Sequence, residues 1–256
     1  MKLVSFLLFA CSLLLTATAY SEKITVAAAA DLKFVMDEIV TGYLQDHPAD
    51  EVDLVYGSSG KFFTQIQQGA PYDLYFSADI AYPRKLAAAG LAAGEPKTYA
   101  FGRIVLWSPK TDVRRMTLSS LVDPTITRVA IANPEHAPYG KRAEEALRAS
   151  GVWEEVKPKL VYGENIVQAA QFVETGNAQI GILALSLALS PELSRKGGYW
   201  LVPEKLHEPL EQGYIITKRA EGNPIARRFA DYVASKPARA VMTKYGFVLP
   251  GEVVER

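Results

Sequence analysis

The stretch DLVYGSSGKFFTQIQQGAP, residues 53–71, carries the pattern from which the rest of the chain can be read. It opens on a short apolar run suited to a strand. Two glycines and two hydroxyls follow, Gly57-Ser58-Ser59-Gly60, and then a helix-like segment that stops at Gly69 with Pro71 beyond it. A strand that runs into a helix through a small polar turn is the building unit of an α/β fold.

The unit recurs on both sides. Upstream, ITVAAAA (24–30) reads as a buried strand. It leads into DLKFVMDEIVTGYL, where Leu32, Val35, Met36, Ile39, Val40 and Tyr43 keep a 3–4 spacing and Asp31 is placed as N-cap. Downstream, DLYFSA leads into AYPRKLAAAG, ended by Gly90. After a break near Tyr99–Arg103 the alternation resumes. RIVLWSP (103–109) and TRVAIAN (127–133) are strands, and KRAEEALRASG is a helix with a glycine stop. LVYGE precedes NIVQAAQFVETGN, QIGILAL precedes SLALSPELSRKG, and YIITK precedes two closing helices. One sheet would need about ten strands, so two smaller, mainly parallel sheets are the easier geometry, with the chain crossing over and later returning.

Composition narrows the setting. Residues 1–19, MKLVSFLLFACSLLLTATA, join a lysine to an apolar run and a small-x-small site at Ala17-Thr18-Ala19. This reads as a signal peptide cleaved near Ala19-Tyr20, too short for a spanning helix, and implies a periplasmic protein. Cys11 is the only cysteine, and the apolar run continues past it where a lipobox would end, so the mature chain needs no disulfide and has no thiol chemistry. The 28 basic residues balance the 28 acidic ones and do not cluster, which argues against nucleic acid as a partner.

Ligands of open α/β sheets bind beyond the carboxyl ends of strands, at helix N-termini. The corresponding turns here are AAAADLK, YGSSGKF, NPEHAPYGK, GENIVQ and LALS. They are small, polar and without arginine, which suits an anion held by backbone N–H groups and helix dipoles. The competing reading is that every helix needs a cap and most caps bind nothing. Sharper motifs fail on their neighbours. Val55 stands where a P-loop needs its first glycine and Phe62 follows Lys61, while Lys61 replaces the last glycine of a nucleophile elbow. Ser58-x-x-Lys61 satisfies S-x-x-K, the basis of a serine-hydrolase alternative, but S-D-N is absent and KTD (110–112) is not K-T-G. His47, His136 and His207 lie far apart with no zinc-ligand spacing, although His136 falls in a candidate turn.

Together these segments resemble the periplasmic molybdate-binding proteins of ABC importers, which have a type II solute-binding fold. The likeness runs through AAAADL (27–32), YGSSGKFFTQIQQGAPYDLYFSAD (56–79), NPEHAPYGKRAEEAL (133–147), Gly163-Glu164-Asn165-Ile166 and KYGF (244–247). The resemblance implies two lobes, residues 20–101 with 213–256 and residues 102–212. It further implies a non-enzymatic monomer with no cofactor, which binds a tetrahedral oxyanion, molybdate or tungstate, and hands it to a membrane permease. Carried over by position, Ser59 supplies a hydroxyl and an N–H, and the backbones near Tyr139 and Ile166 supply further N–H donors. Ser58 and Asn165 stand beside them.

Two positions depart from the family pattern. The family's first serine is Asp31 here, and its hydroxyl-donating tyrosine is Ala184, with Ser186 near enough to replace it. A carboxylate about 4 Å from an anion is repelled by about 4 kcal/mol per unit of the anion's charge at an effective dielectric near 20. Asp31 is therefore expected to turn away and cap its own helix. The alternative is that it accepts a proton from a protonated oxyanion such as hydrogen phosphate or arsenate.

Overall fold

The computed structural model describes residues 23–251, so the signal-peptide reading of residues 1–19 falls outside the described residues. Among the described residues the chain forms two five-stranded sheets, each flanked by helices.

In the first lobe, β1 (Lys23–Ala29) continues through a 3-10 turn (Ala30–Leu32) into α1 (Lys33–Asp46). Then come β2 (Glu51–Gly57), α2 (Ser59–Gln67), β3 (Leu74–Ser77), α3 (Ala81–Ala88) and β4 (Lys97–Gly102). The chain crosses at Arg103 into β5 (Ile104–Ser108), β6 (Val129–Ala132), α4 (Pro138–Ala149) and α5 (Trp153–Val156). It continues through β7 (Leu160–Gly163), α6 (Ile166–Glu174), β8 (Ile180–Ala184), α7 (Leu185–Ala188) and β9 (Gly198–Leu201). It then returns to the first lobe as β10 (Leu210–Ile216), α8 (Pro224–Val233) and α9 (Lys236–Lys244).

The sheet orders are β2-β1-β3-β10-β4 and β7-β6-β8-β5-β9, the same arrangement twice. In each sheet four strands run one way and one runs against them, β10 in the first and β5 in the second. Those two strands are the ones that enter after a crossover. The first sheet takes β10 from Leu210 onward, so Leu210–Gln212, expected in the second lobe, pair with Gly102, Phe101 and Ala100 of β4.

Central strands are covered on both faces, which is why they read as unbroken apolar runs. Ile24, Val26, Ala27 and Ala28 have no exposure, and neither do Val129, Ala130, Ile131 and Ala132 of β6, at the same place in the second sheet. The helices bury one stripe each; α8 turns Ile225, Ala226, Phe229, Ala230 and Val233 inward. Each fully buried large side chain contributes roughly 1.5–3 kcal/mol. The helix stops occur where the sequence places glycine: Gly69 and Gly90 take φ of +86° and +73°, a region L-residues seldom occupy.

Candidate functional site

The carboxyl ends of β1, β2, β3, β6 and β7 face one another across the cleft between the lobes. They enclose a small cavity of about 10 Å³, roughly the room of one water molecule. Its walls include Asp31, Ser58, Ser59, Tyr139, Asn165 and Ile166, all foreseen from sequence, and the small residues Ala29, Ala30, Ala78 and Ala137.

Three helices begin at this cavity, and the first residue of each that carries an N–H, Ser59, Tyr139 and Ile166, lines it. First-turn N–H groups have no intrahelical acceptor. In α2 the Gly60 N–H donates to the His136 carbonyl across the cleft at 2.9 Å, which leaves the Ser59 N–H. In α4 the first residue is Pro138, which has no N–H, so Tyr139 provides the first donor. In α6 the Asn165 cap accepts from Val167 and Gln168 at 3.0 and 3.1 Å and leaves the N–H of Ile166. The Ser59 hydroxyl accepts from the Ala78 N–H at 3.0 Å, so its own proton is available to a ligand. The arrangement offers neutral donors and positive helix ends and suits an anion.

Asp31 corrects an expectation. Neither the 3-10 turn nor α1 receives a side-chain cap, so Asp31 does not cap its helix. The turn carries its carboxyl to the cavity instead, 1 % exposed, where Oδ2 accepts from the Tyr139 hydroxyl at 3.0 Å and from Gln212 Nε2 at 2.8 Å. Gln212 also donates to the Tyr139 oxygen at 3.1 Å, and its own carbonyl oxygen accepts from the Tyr99 hydroxyl. Asp31 Oδ1 is buried with no hydrogen-bond partner. Burial pushes the Asp31 carboxyl up to about 6, against the pull of the Gln212 and Tyr139 hydrogen bonds. Burial likewise holds the Tyr139 and Tyr99 hydroxyls well above their ordinary range, and the Asp31 charge adds to it.

Gln212, Tyr99 and Gly102 were not foreseen. A Cβ on Gly102 would lie 2.3 Å from the Tyr139 oxygen and 2.6 Å from Gln212 Nε2, so glycine is what admits this network. A buried glutamine in a strand signals only that a polar partner exists, not which one.

Two further candidates lie elsewhere. Ala184, at the end of β8, is fully buried in the core of the second lobe and does not line the cavity. Ser186 does not supply the missing hydroxyl to the cavity either: it donates to the Asp31 carbonyl at 2.7 Å and ties the 3-10 turn to α7. The Ser58–Lys61 pairing behind the hydrolase alternative is also absent. Lys61 Nζ reaches Glu164 at 3.0 Å, and the Ser58 hydroxyl meets His136 Nδ1 at 3.0 Å. Burial holds His136 below its ordinary value, so it is neutral at neutral pH.

Closure depends on close backbone approach at Gly60, where a Cβ would sit 2.7 Å from the His136 carbonyl oxygen of the other lobe. Gly60→Ala is therefore expected to lower ligand affinity about tenfold, a loss of about 1.4 kcal/mol. The thermal midpoint of the ligand-free protein should stay unchanged, since alanine suits the helix at least as well. A titration paired with a melting curve checks both, and unchanged affinity would mean that the lobes do not meet here.

Two α/β lobes closed on a small cavity walled by helix N-termini define a two-lobed solute-binding protein. The chain belongs to the family described as bacterial extracellular solute-binding protein, whose model matches residues 24–248. It is 37% identical over 237 residues to the molybdate-binding protein ModA of Azotobacter vinelandii, covering 92% of this chain and 94% of that one. It is 39% identical over 199 residues to the protein of that name from Rhodobacter capsulatus, 77% of each chain. The solved structure of the Azotobacter vinelandii periplasmic molybdate-binding protein superposes with a TM-score of 0.83 at 29% identity, covering 89% of this chain and 99% of that one. Its relatives are transport binding proteins, and this chain is a binding protein rather than an enzyme.

Proposed function

We propose that this protein captures molybdate, and tungstate with it, between its two lobes. It then delivers the anion, as a monomer, to the membrane permease of an ABC importer. The observation that carries the reading is the convergence of the Ser59, Tyr139 and Ile166 N–H groups with the Ser59 hydroxyl on one small cavity. The curated relatives named for molybdate over most of their length support the choice of anion. The chain passes between the two sheets at Arg103 and over residues 202–209, and a hinge there would let the anion in. Selection of a large tetrahedral oxyanion over sulfate would follow from the span between the donors of the two lobes once they close on it.

Calorimetry of the mature chain with molybdate, tungstate, sulfate, phosphate and chromate tests this. Heat and thermal stabilisation are expected with the first two, and silence with all five would refute the reading. Ser59→Ala should weaken binding by about 1–3 kcal/mol, the loss of a hydrogen bond to a charged partner. Ser58→Ala should weaken it less, because the Ser58 hydroxyl is already engaged by His136. Equal losses would place the anion differently.

A further inference from the structure

We infer that Asp31 holds a proton in the liganded state and donates it through Oδ1 to the anion, so that the complex contains one proton shared between Asp31 and an oxyanion oxygen. This rests on the cavity being an oxyanion site and adds what its unusual carboxyl does there.

The geometry divides the two carboxyl oxygens. Oδ2 receives two donors, Tyr139 and Gln212, and has the surroundings of a carbonyl oxygen. Oδ1 receives none, although it is buried and its residue lines the cavity. In the ionised form Oδ1 would face a bound dianion with like charge. In the acid form it becomes an O–H free to donate to an anion in the cavity that Asp31 lines, the role a serine hydroxyl would play.

The charge balance leaves the proton there. No cation and no second carboxylate acts on the group: burial raises it, and the amide of Gln212, the Tyr139 hydroxyl and its own backbone N–H pull the other way. Tyr99 faces it from β4 and Tyr139 from α4, and both hydroxyls titrate far above neutrality. Ser186 on α7 is bonded to the Asp31 backbone carbonyl, and Ser58 and Ser59 on α2 carry no charge. His136, bonded to Ser58, stays neutral at and above neutral pH. A bound dianion therefore raises the proton affinity of Asp31 further, with nothing nearby to offset it.

The proton balance depends on the anion. A dianion without a proton, such as molybdate, binds with uptake of one proton from solvent: carboxylate, proton and dianion become acid and dianion. Hydrogen phosphate or hydrogen arsenate brings its own proton, which ionised Asp31 accepts, and the net uptake is zero. Either way one proton bridges Asp31 and the anion.

Titrating molybdate into the ligand-free mature chain at about pH 8, in Tris and in a buffer of low ionisation enthalpy, gives the proton count from the difference in heat. One proton taken up per molybdate is expected. Affinity should fall about tenfold per pH unit between roughly pH 6.5 and 8.5. Asp31→Asn keeps an acceptor for Tyr139 and Gln212 and offers an N–H to the cavity, so its molybdate binding should take up no proton and show no such slope. The same variant should shift the molybdate-to-phosphate preference toward molybdate by about tenfold or more, since its N–H cannot accept the phosphate proton. Wild-type binding of molybdate without proton uptake, or a slope retained in Asp31→Asn, overturns the inference and leaves the binding function standing. A chain that binds no anion at any pH overturns the binding function, and the inference falls with it.

Discussion

Gly140→Ala is expected to destabilise the protein by about 3 kcal/mol and to weaken anion binding roughly 10- to 100-fold. A Cβ at this position would lie 2.0 Å from the carbonyl oxygen of Ala132 and 2.6 Å from its carbon. Both are backbone atoms at the end of β6, so no rotamer change relieves the clash. The first turn of α4 would have to back away from the sheet. Overpacking of a tight site costs about 1–3 kcal/mol, and a rigid backbone neighbour puts this one at the upper end. Backing away also carries the Tyr139 N–H off its target, and a lost hydrogen bond to a charged group is worth about 1.5–3 kcal/mol, the origin of the affinity loss. Urea unfolding and an anion titration measure the two effects. Gly222→Ala, where nothing lies within 4 Å, serves as the control and should change stability by no more than about 0.5 kcal/mol. If Gly140→Ala behaves like the control, α4 is not seated on β6 as described.

The cavity's donors were legible for a reason that Gly140 illustrates. Strand, small turn, helix is a local signal that marks the turns YGSSGKF, NPEHAPYGK and GENIVQ; it was the family resemblance that picked Ser59, Tyr139 and Ile166 within them. The two sheets followed from counting strands, and the inverted strands β5 and β10 from nothing local. Leu210–Gln212 carry no mark that assigns them to the first sheet, because β10 is selected by its neighbours β3 and β4. The segment SLALSPELSRKG read as a helix, yet regular helix ends at Ala188. Pro191 follows closely, and Ser190 uses its hydroxyl to accept from the Leu193 N–H, the kind of local bond that competes with a helix.

The Asp31 surroundings were illegible in a stricter sense. A good N-cap residue before an apolar periodic run is the best local reading available, and it failed because a 3-10 turn intervenes between β1 and α1. The turn rotates the carboxyl away from the helix and toward α4 and β10. Its partners Tyr139 and Gln212 are 108 and 181 residues away in sequence. Tertiary proximity of that range leaves no trace in one sequence, whereas the chemistry of the partners, an acid beside neutral donors, becomes readable once they meet.

That chemistry gives the ligand-free protein a pH-dependent stability of unusual sign. A carboxyl bonded to cations is held low and stabilises a fold as pH rises; Asp31, raised by burial from 3.8 to about 6, does the reverse. Between those values the folded chain binds more protons than the unfolded one, so stability falls as pH rises through the window. The penalty is absent below about pH 3.8, roughly half developed near pH 5 and complete above about pH 6, at about 3 kcal/mol. Asp31→Asn removes the ionisation and keeps an acceptor for Tyr139 and Gln212. The ligand-free variant is therefore expected to exceed the wild type by about 3 kcal/mol at pH 8 and by about half as much at pH 5. Denaturant unfolding at the two pH values, without anion, measures the difference. A gap that does not change with pH would mean that Asp31 is solvated in the folded protein. A gap that narrows toward acid would mean that the site is held in a strained charge state until a proton and an anion arrive together, with stability given up in the empty protein in return for a carboxyl poised to become a donor.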